Sequence, residues 1–346
     1  MGKKYQFFIG TYTYEESEGV YMYSINSKGY LSKKGIVAKT DNPSFITKSH
    51  DGQYLLLVNE NGGNNVGTIE SYAIHDETLS LLDKKTSGGM SPCFININQQ
   101  GHVLTANYGS GSIGFLQLKS TGKLSNLLYV QQHTGKGSNI RQEGPHAHSV
   151  WFEEDENNII SIDLGSNKLY FSKIDYANKK LIYRKQHKLT MPAGSGPRHL
   201  AWHPNKKWFY VINELSSTIS LIKKTDNVSY EIDNSISTLP KTYKLPNTSA
   251  EIIISSDGEF IYASNRGHNS VVIFKVNHTN GRLTAIRHES VRGVGPRNFV
   301  LTPDENFLIL ANQKTNSLVS FKRNKTNGLL SYIDQIMAPT PVCILF

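Results

Sequence analysis

The chain is predicted to be all-β: a β-propeller of seven blades, four antiparallel strands in each, with the ring closed by the N- and C-terminal strands. Three observations lead there. A strand-opening motif returns at blade-length intervals along the 346 residues. Apolar residues alternate with a period of two in short runs bounded by Gly, Asn, Asp and Pro, and no stretch carries the period of an amphipathic helix. The last copy of the motif stops after one strand, while the chain begins with three strands that have no opener.

The motif is a Pro or Gly-Pro, an alternating strand, a turn with Asp-Gly or Pro-Asn, an apolar strand and then a polar residue, mostly Asn. It reads NPSFITKSHDGQYLLLVNE from Asn42, SPCFININQQGHVLTANY from Ser91 and GPHAHSVWFEEDENNIISIDLG from Gly144. It continues with GPRHLAWHPNKKWFYVINE from Gly196, TSAEIIISSDGEFIYASNRG from Thr248, GPRNFVLTPDENFLILANQ from Gly295 and TPVCILF from Thr340. The opening residues Pro43, Pro92, Pro145, Pro197, Ser249, Pro296 and Pro341 are 49, 53, 52, 52, 47 and 45 apart. Propeller blades repeat every ~40–50 residues. From opener to terminal polar residue the spacing is 15 in the copy at Pro92, 18 in the copy at Pro145 and 16 in the other four complete copies.

A third strand follows each polar residue (VGTIESYAI, SIGFLQL, KLYFSKI, TISLIKK, VVIFKV, LVSFKR), then a turn and a fourth strand (ETLSLL, GKLSNLLYV, KKLIYRK, GRLTAI, GLLSYI). Residues 5–34 (YQFFIGTYT, GVYMYSI, GYLSKK) supply the three strands that the last copy lacks. Closing the ring this way removes exposed sheet edges. Residues 133–144 and 226–247 exceed what a blade requires and are expected to be insertions or extended loops. The whole of 1–346 is expected to form one propeller domain.

Lys and Arg number 37 against 28 Asp and Glu, a net charge of +9. A basic balance suits an anionic partner, either nucleic acid or a small acidic substrate. The lysines are scattered in turns and make no basic tail, so they read as a solvated surface and nucleic acid is not expected. Cys93 and Cys343 have no metal-type spacing and read as buried thiols in a reducing compartment. The apolar run near the N-terminus is short for a secretion signal and passes straight into a strand pattern. No apolar stretch approaches the ~20 residues of a membrane helix. The expected location is the cytoplasm, away from membranes.

Antiparallel pairing of the first two strands puts every opener and every terminal polar residue on one face of the disc, beside the central channel. That face collects Asn59-Glu60, Asn107-Tyr108, Arg141-Gln142, His146, His148, Arg198-His199, Asn213-Glu214, Glu251, Asn265-Arg266, Arg297 and Asn312-Gln313. The opposite turns carry ordinary hairpin residues such as Asp51-Gly52 and Asp257-Gly258. The repeated Asn reads first as a turn residue and the repeated Pro as a strand starter. Arg198, Arg266 and Arg297 come from separate blades and would converge as carboxylate or phosphate ligands. His146 and His148 share a strand face but have no clear third ligand for zinc, so acid/base or hydrogen-bonding work suits them better. Glu214 is the general base this reading favours. The literal GxGxxG at Gly109 leads into a strand instead of a helix, and neither a Walker loop nor a GxSxG elbow is present.

The segments GTYT, NPSF, RQEGPHAHS, DLG, GSGPRHLAWHP, INEL, SNRG and PRNF, in this order along the chain, resemble the seven-bladed propeller lactonase family. The resemblance implies hydrolysis of 6-phospho-gluconolactone to 6-phosphogluconate in the oxidative pentose phosphate pathway, without a cofactor. The family's proposed catalytic site falls on His148, Arg198, Glu214 and Arg266. Departures are Ser166-Asn167, where an Asp often follows DLG, and Asn298, where His is common; they bear on substrate selectivity. Water would be activated by Glu214 or His148, and Arg198 and Arg266 would stabilise the oxyanion or clamp the anion. Arg141, His146, His199, Arg297, Asn107 and Gln313 are expected as substrate contacts. The expected partner is a small anionic sugar lactone, and the expected state a monomer or weak homodimer. Three rivals stay open: a cyclase or isomerase acting on a dicarboxylate, a non-enzymatic binding scaffold, and a metal-dependent lactonase with Glu60, Asn107 and Asn213 as ligands.

Overall fold

A computed structural model describes residues 3–61, 65–226 and 229–346. Seven four-stranded antiparallel sheets make the ring. Blade 1 takes its inner strand from the C-terminus: Pro341–Leu345 pairs with Tyr5–Thr11, which continues to Gly19–Ile25 and Leu31–Lys39. Blades 2 to 7 open on Pro43–Lys48, Pro92–Ile97, Ala147–Phe152, Pro197–Trp202, Thr248–Ile254 and Pro296–Leu301. The closure expected from the truncated last repeat is therefore the one the chain adopts.

The core is a set of seams between neighbouring blades, because each sheet is apolar on both faces. Tyr210 and Ile212 of blade 5 pack against Ile261 and Phe274 of blade 6. Tyr262 and Ile273 of blade 6 pack in turn against Phe299 and Leu310 of blade 7. Buried tyrosines also tie blades together through their polar tips. Tyr210 Oη donates to the Gly281 carbonyl at 2.7 Å and Tyr262 Oη to that of Gly328 at 2.8 Å. Both glycines sit at positive φ in the turn before an outer strand. A Cβ on Gly328 would come within 2.4 Å of the Phe260 ring, so the close approach of the blades requires glycine there.

Two expectations change. The copy at Pro145 does not begin at its proline: the strand starts at Ala147, which pairs with Asp163, so its spacing is 16, as in four other blades. Residues 226–247 contain the fourth strand of blade 5, Tyr230–Ser237, which sequence analysis did not identify. That strand (YEIDNSIS) lies at the outer rim and half faces solvent, so its polar residues hid its alternation. Residues 227 and 228 of this segment lie outside the described residues. The other long segment, residues 133–144, is pinned. Asn139 caps a short 3-10 turn, Ile140–Gln142, and the buried Gln142 amide donates to the Leu164 carbonyl at 2.7 Å.

One irregularity recurs and builds the site. In all seven inner strands the pairing skips a residue just after the opener, between Pro43 and Phe45, Pro92 and Phe94, Ala147 and Ser149, Pro197 and His199, Ser249 and Ile252, Pro296 and Asn298, and Pro341 and Cys343. Such bulges break the alternation of side chains and re-aim the extra one. The bulged positions are Ser44, Cys93, His148, Arg198, Ala250 with Glu251, Arg297 and Val342.

Candidate active site

The polar residues that end the second strands are structural. Asn107 is fully buried and its Nδ2 donates to the Ser87 carbonyl and the Ser112 hydroxyl, both at 3.2 Å. Asn213 bonds Thr218 and Ser220, Asn265 bonds Thr238, and Asn312 bonds the Val291 carbonyl. The substrate contact expected of Asn107 is therefore corrected: its amide staples its own blade. The Asn213 amide nitrogen is committed in the same way, while the Oδ1 atoms of both asparagines make no hydrogen bond among the described residues.

The residue after each staple faces the mouth of the channel. Going round the ring these are Tyr12, Glu60, Tyr108, Leu164, Glu214, Arg266 and Gln313. The main-chain N–H of Glu60 donates to Asn42, that of Tyr108 to Ser91, that of Glu214 to Gly196 and that of Gln313 to Gly295, so the same geometry recurs from blade to blade. Of these, Arg266, with the bulged His148 and Arg198 and with Arg141, gathers around Glu214. Its Oε1 accepts from Arg141 Nη1 at 2.8 Å. Its Oε2 lies 2.9 Å from Arg266 Nη2, 3.3 Å from Arg198 Nε and 4.0 Å from His148 Nε2. Four residues on four elements thus meet at one carboxylate, as the sequence reading expected of His148, Arg198, Glu214 and Arg266, with Arg141 brought in by the 133–144 segment.

The electrostatics follow from this crowding. Burial alone would raise the Glu214 carboxyl, but the attraction of Arg266, Arg198 and Arg141 outweighs it and holds the group at about 2. Arg198 is pushed down to about 10 by burial and by the repulsion of Arg266 and Arg297. Burial and then the neighbouring Arg198 hold His148 well below the usual imidazole range, so its ring is neutral at pH 7. Arg198 Nε and Arg266 Nε are buried and make no hydrogen bond among the described residues, although Arg198 Nε faces Glu214 Oε2 at 3.3 Å.

A second carboxylate stands on the other side. Glu60 Oε2 accepts from Tyr12 Oη at 2.9 Å, and Tyr12 Oη accepts from Arg297 Nη2 at 2.7 Å. Arg297 also lies over the Tyr12 ring, 5.2 Å from its centroid. Burial pushes the Glu60 carboxyl up, against the opposing pull of Arg297. Four guanidinium groups (Arg141, Arg198, Arg266, Arg297) therefore share the mouth with the carboxylates of Glu60 and Glu214, while Glu143 at the rim acts on Arg141 and Glu251 below acts on Arg198. Tyr12 escaped the sequence reading because Thr11 replaces the repeated Asn in blade 1; the paired GTYT segment was its available signal.

The remaining expected contacts are more distant. His146 stacks on Tyr108 at 4.5 Å and bonds its carbonyl and Glu143, holding the rim. Gln313 bonds Tyr14 Oη at 2.9 Å, also at the rim. His199 is corrected: it lies one layer down the channel, buried, with Nδ1 3.0 Å from Glu251 Oε1. Asn298 completes that layer, donating to Glu251 Oε2 at 2.6 Å, so the departure seen at this position touches the floor below the mouth. Beneath it the channel opens into a cavity of about 400 Å³ lined by apolar residues including Phe94, Trp151 and Trp202. The acid/base groups lie above it. A third cluster resembles a hydrolase triad: His133 Nε2 is 3.0 Å from Ser161 Oγ and Nδ1 is 2.8 Å from Asp163 Oδ2. All three residues are at most 1% exposed, so no substrate reaches them, and the trio is the blade 4 version of the Asn staple.

A closed seven-bladed propeller whose one mouth gathers arginines around buried carboxylates is suited to act on a small anion. The chain belongs to the family described as Lactonase, 7-bladed beta-propeller, which it matches over residues 6–346. A 6-phosphogluconolactonase of Bacillus subtilis is 33% identical over 302 residues, 86% of this chain and 85% of that protein. One of Formosa agariphila is 34% identical over 305 residues, 85% of each. The solved periplasmic gluconolactonase of Pseudomonas aeruginosa superposes with a TM-score of 0.94 at 27% identity, covering 99% of this chain and 98% of that one. Among the described residues no helix is long and apolar enough to cross a membrane.

Proposed function

We propose that this lactonase hydrolyses 6-phospho-D-glucono-1,5-lactone to 6-phosphogluconate, in the cytoplasm and without a metal or cofactor, with 1–346 working as one domain. The observation that carries this reading is the convergence of four guanidinium groups from separate elements on one mouth, which suits a phosphate monoester. The names of the Bacillus and Formosa relatives point the same way.

Lactone opening needs water added to the carbonyl carbon, stabilisation of the oxyanion, and a proton for the departing ring oxygen. Arg198 and Arg266 suit the oxyanion or the phosphate, and Arg141 and Arg297 suit the rest of the anion. Glu214, tied to three guanidinium groups, serves better to position them than to take a proton. His148, neutral and buried beside Glu214, suits a hydrogen bond to a substrate hydroxyl or to the attacking water.

The test is turnover of freshly generated 6-phospho-gluconolactone beside gluconolactone, with and without chelator, after subtraction of spontaneous opening. Chelator-resistant turnover that favours the phosphorylated lactone is expected. Absence of turnover on either lactone overturns the hydrolase reading in favour of a cyclase or a scaffold.

A further inference from the structure

Glu60 and Glu214 occupy the same position in blades 2 and 5, each following a staple asparagine, and their surroundings are opposite. Glu214 has both oxygens in contact with guanidinium groups, from Arg141, Arg198 and Arg266. The Glu60 hydrogen bond is to a neutral hydroxyl group. Tyr12 Oη donates to Oε2 at 2.9 Å, and Ser44, the bulged residue of the same blade, lies close by with its buried hydroxyl making no hydrogen bond among the described residues. The Tyr12 hydroxyl is in turn fixed by Arg297 at 2.7 Å. Arg198 and Arg297 feel both carboxylates, so the two acids flank the same guanidinium pair. Cys93 is the other titratable group facing this wall, and burial keeps its thiol protonated.

We propose that Glu60 is the general base of the lactonase reaction and that Glu214 is the positioning residue that holds the arginines. The proposal rests on the hydrolase reading above and deepens it. In the first step the Glu60 carboxylate takes one proton from water while the water oxygen bonds to the lactone carbonyl carbon. The carbonyl electron pair moves onto oxygen, where Arg198 and Arg266 meet the charge. In the second step that pair returns, the bond from the carbonyl carbon to the ring oxygen breaks, and the ring oxygen takes the proton back from Glu60. The product acid then ionises to a carboxylate, and one water has been consumed. A carboxyl whose surroundings favour its neutral form is a stronger base than one clamped by guanidinium groups, and it returns its proton more readily than a tightly paired one accepts it. Tyr12 and Arg297 keep its second oxygen oriented, leaving the other for water.

The experiment uses the full chain as wild type, Glu60→Gln and Glu60→Asp. Initial rates on 6-phospho-gluconolactone are followed from pH 4 to 8 above background, and 6-phosphogluconate binding is measured by calorimetry. Wild-type kcat is expected to fall as pH drops through a single group above the ordinary carboxylate range, because the base must be ionised. Glu60→Gln, which keeps the size of the side chain, is expected to lower kcat about 10²–10⁴-fold, abolish that acid limb and bind the product within about threefold of wild type. Glu60→Asp is expected to retain partial activity with a displaced limb. A flat wild-type profile between pH 4 and 6, kcat within about threefold of wild type in Glu60→Gln, or loss of product binding together with kcat, overturns the assignment and leaves the hydrolase reading standing. Absence of wild-type turnover overturns both.

Discussion

Replacing Glu214 by glutamine removes one negative charge from among three guanidinium groups and leaves the shape of the site intact. Arg141 at 2.8 Å, Arg266 at 2.9 Å and Arg198 at 3.3 Å would then face one another across a neutral amide. Two routes give the cost. The carboxyl is held at about 2 against an ordinary 4.5, and at ~1.4 kcal/mol for each pKa unit that depression is worth about 3 kcal/mol of folding stability. Removing one partner of a buried ion pair costs about 3–5 kcal/mol by itself. The two agree, so Glu214→Gln should lose about 3–5 kcal/mol in urea unfolding at pH 7. The sign with pH is fixed. A group whose folded pKa is depressed stabilises fully above its unfolded pKa, and the contribution disappears as pH falls through the folded value. Wild type should therefore lose about 3 kcal/mol from this group between pH ~4.5 and pH ~2. In Glu214→Gln that part of the acid slope should be missing. Inorganic phosphate should restore stability to the variant more than to wild type, since an anion can take the vacated place. A Glu214→Gln protein within about 0.5 kcal/mol of wild type, with an unchanged acid slope, would refute the claim that this carboxylate holds the cluster together.

Two further substitutions separate chemistry from architecture. Arg198→Ala should lower kcat by about 10²–10³-fold, the usual loss for one oxyanion donor, while far-ultraviolet circular dichroism shows the fold retained; unaltered turnover would remove Arg198 from the reaction. Asn312→Ala should leave the Val291 carbonyl without its 2.9 Å donor and cost about 1–3 kcal/mol in urea unfolding, with kcat unchanged because the buried Asn312 amide turns toward Val291 and Ser317 and not toward the mouth.

Much of the architecture was legible because a propeller repeats its grammar. Openers near every fiftieth residue, period-two strands and the orphan strands at the two ends were enough to place seven blades and their closure. The convergence of His148, Arg198, Glu214 and Arg266 was legible for the same reason, since antiparallel pairing sends openers and strand ends to one face. Side-chain aim was harder to read. Adjacent residues in a strand normally face opposite ways, yet the bulge turns both Arg198 and His199 toward the channel at different depths, and nothing in GPRHLAWHP marks which of them meets the substrate. Asn107 and Tyr108 posed the converse problem: the polar residue of the pair staples the blade and its successor faces the mouth. The outer strand Tyr230–Ser237 was missed because a half-solvated rim strand need not look apolar.

The hardest case is the pair of Asn-Glu dipeptides, Asn59-Glu60 and Asn213-Glu214. They are identical as sequence and equivalent in register, so no local rule can assign them different chemistry. What separates them is the same-level residue of the adjoining blade: Arg266 beside Glu214, Tyr12 beside Glu60. Each neighbour is about fifty residues away along the chain and is brought alongside only by ring closure or by blade packing. At Glu60 burial outweighs the pull of Arg297 and Arg198 and raises the carboxyl, whereas at Glu214 the three paired guanidinium groups outweigh burial and lower it. The ring thus converts one repeated motif into two carboxylates of opposite affinity for a proton, which is the condition for one to hold cations while the other moves protons.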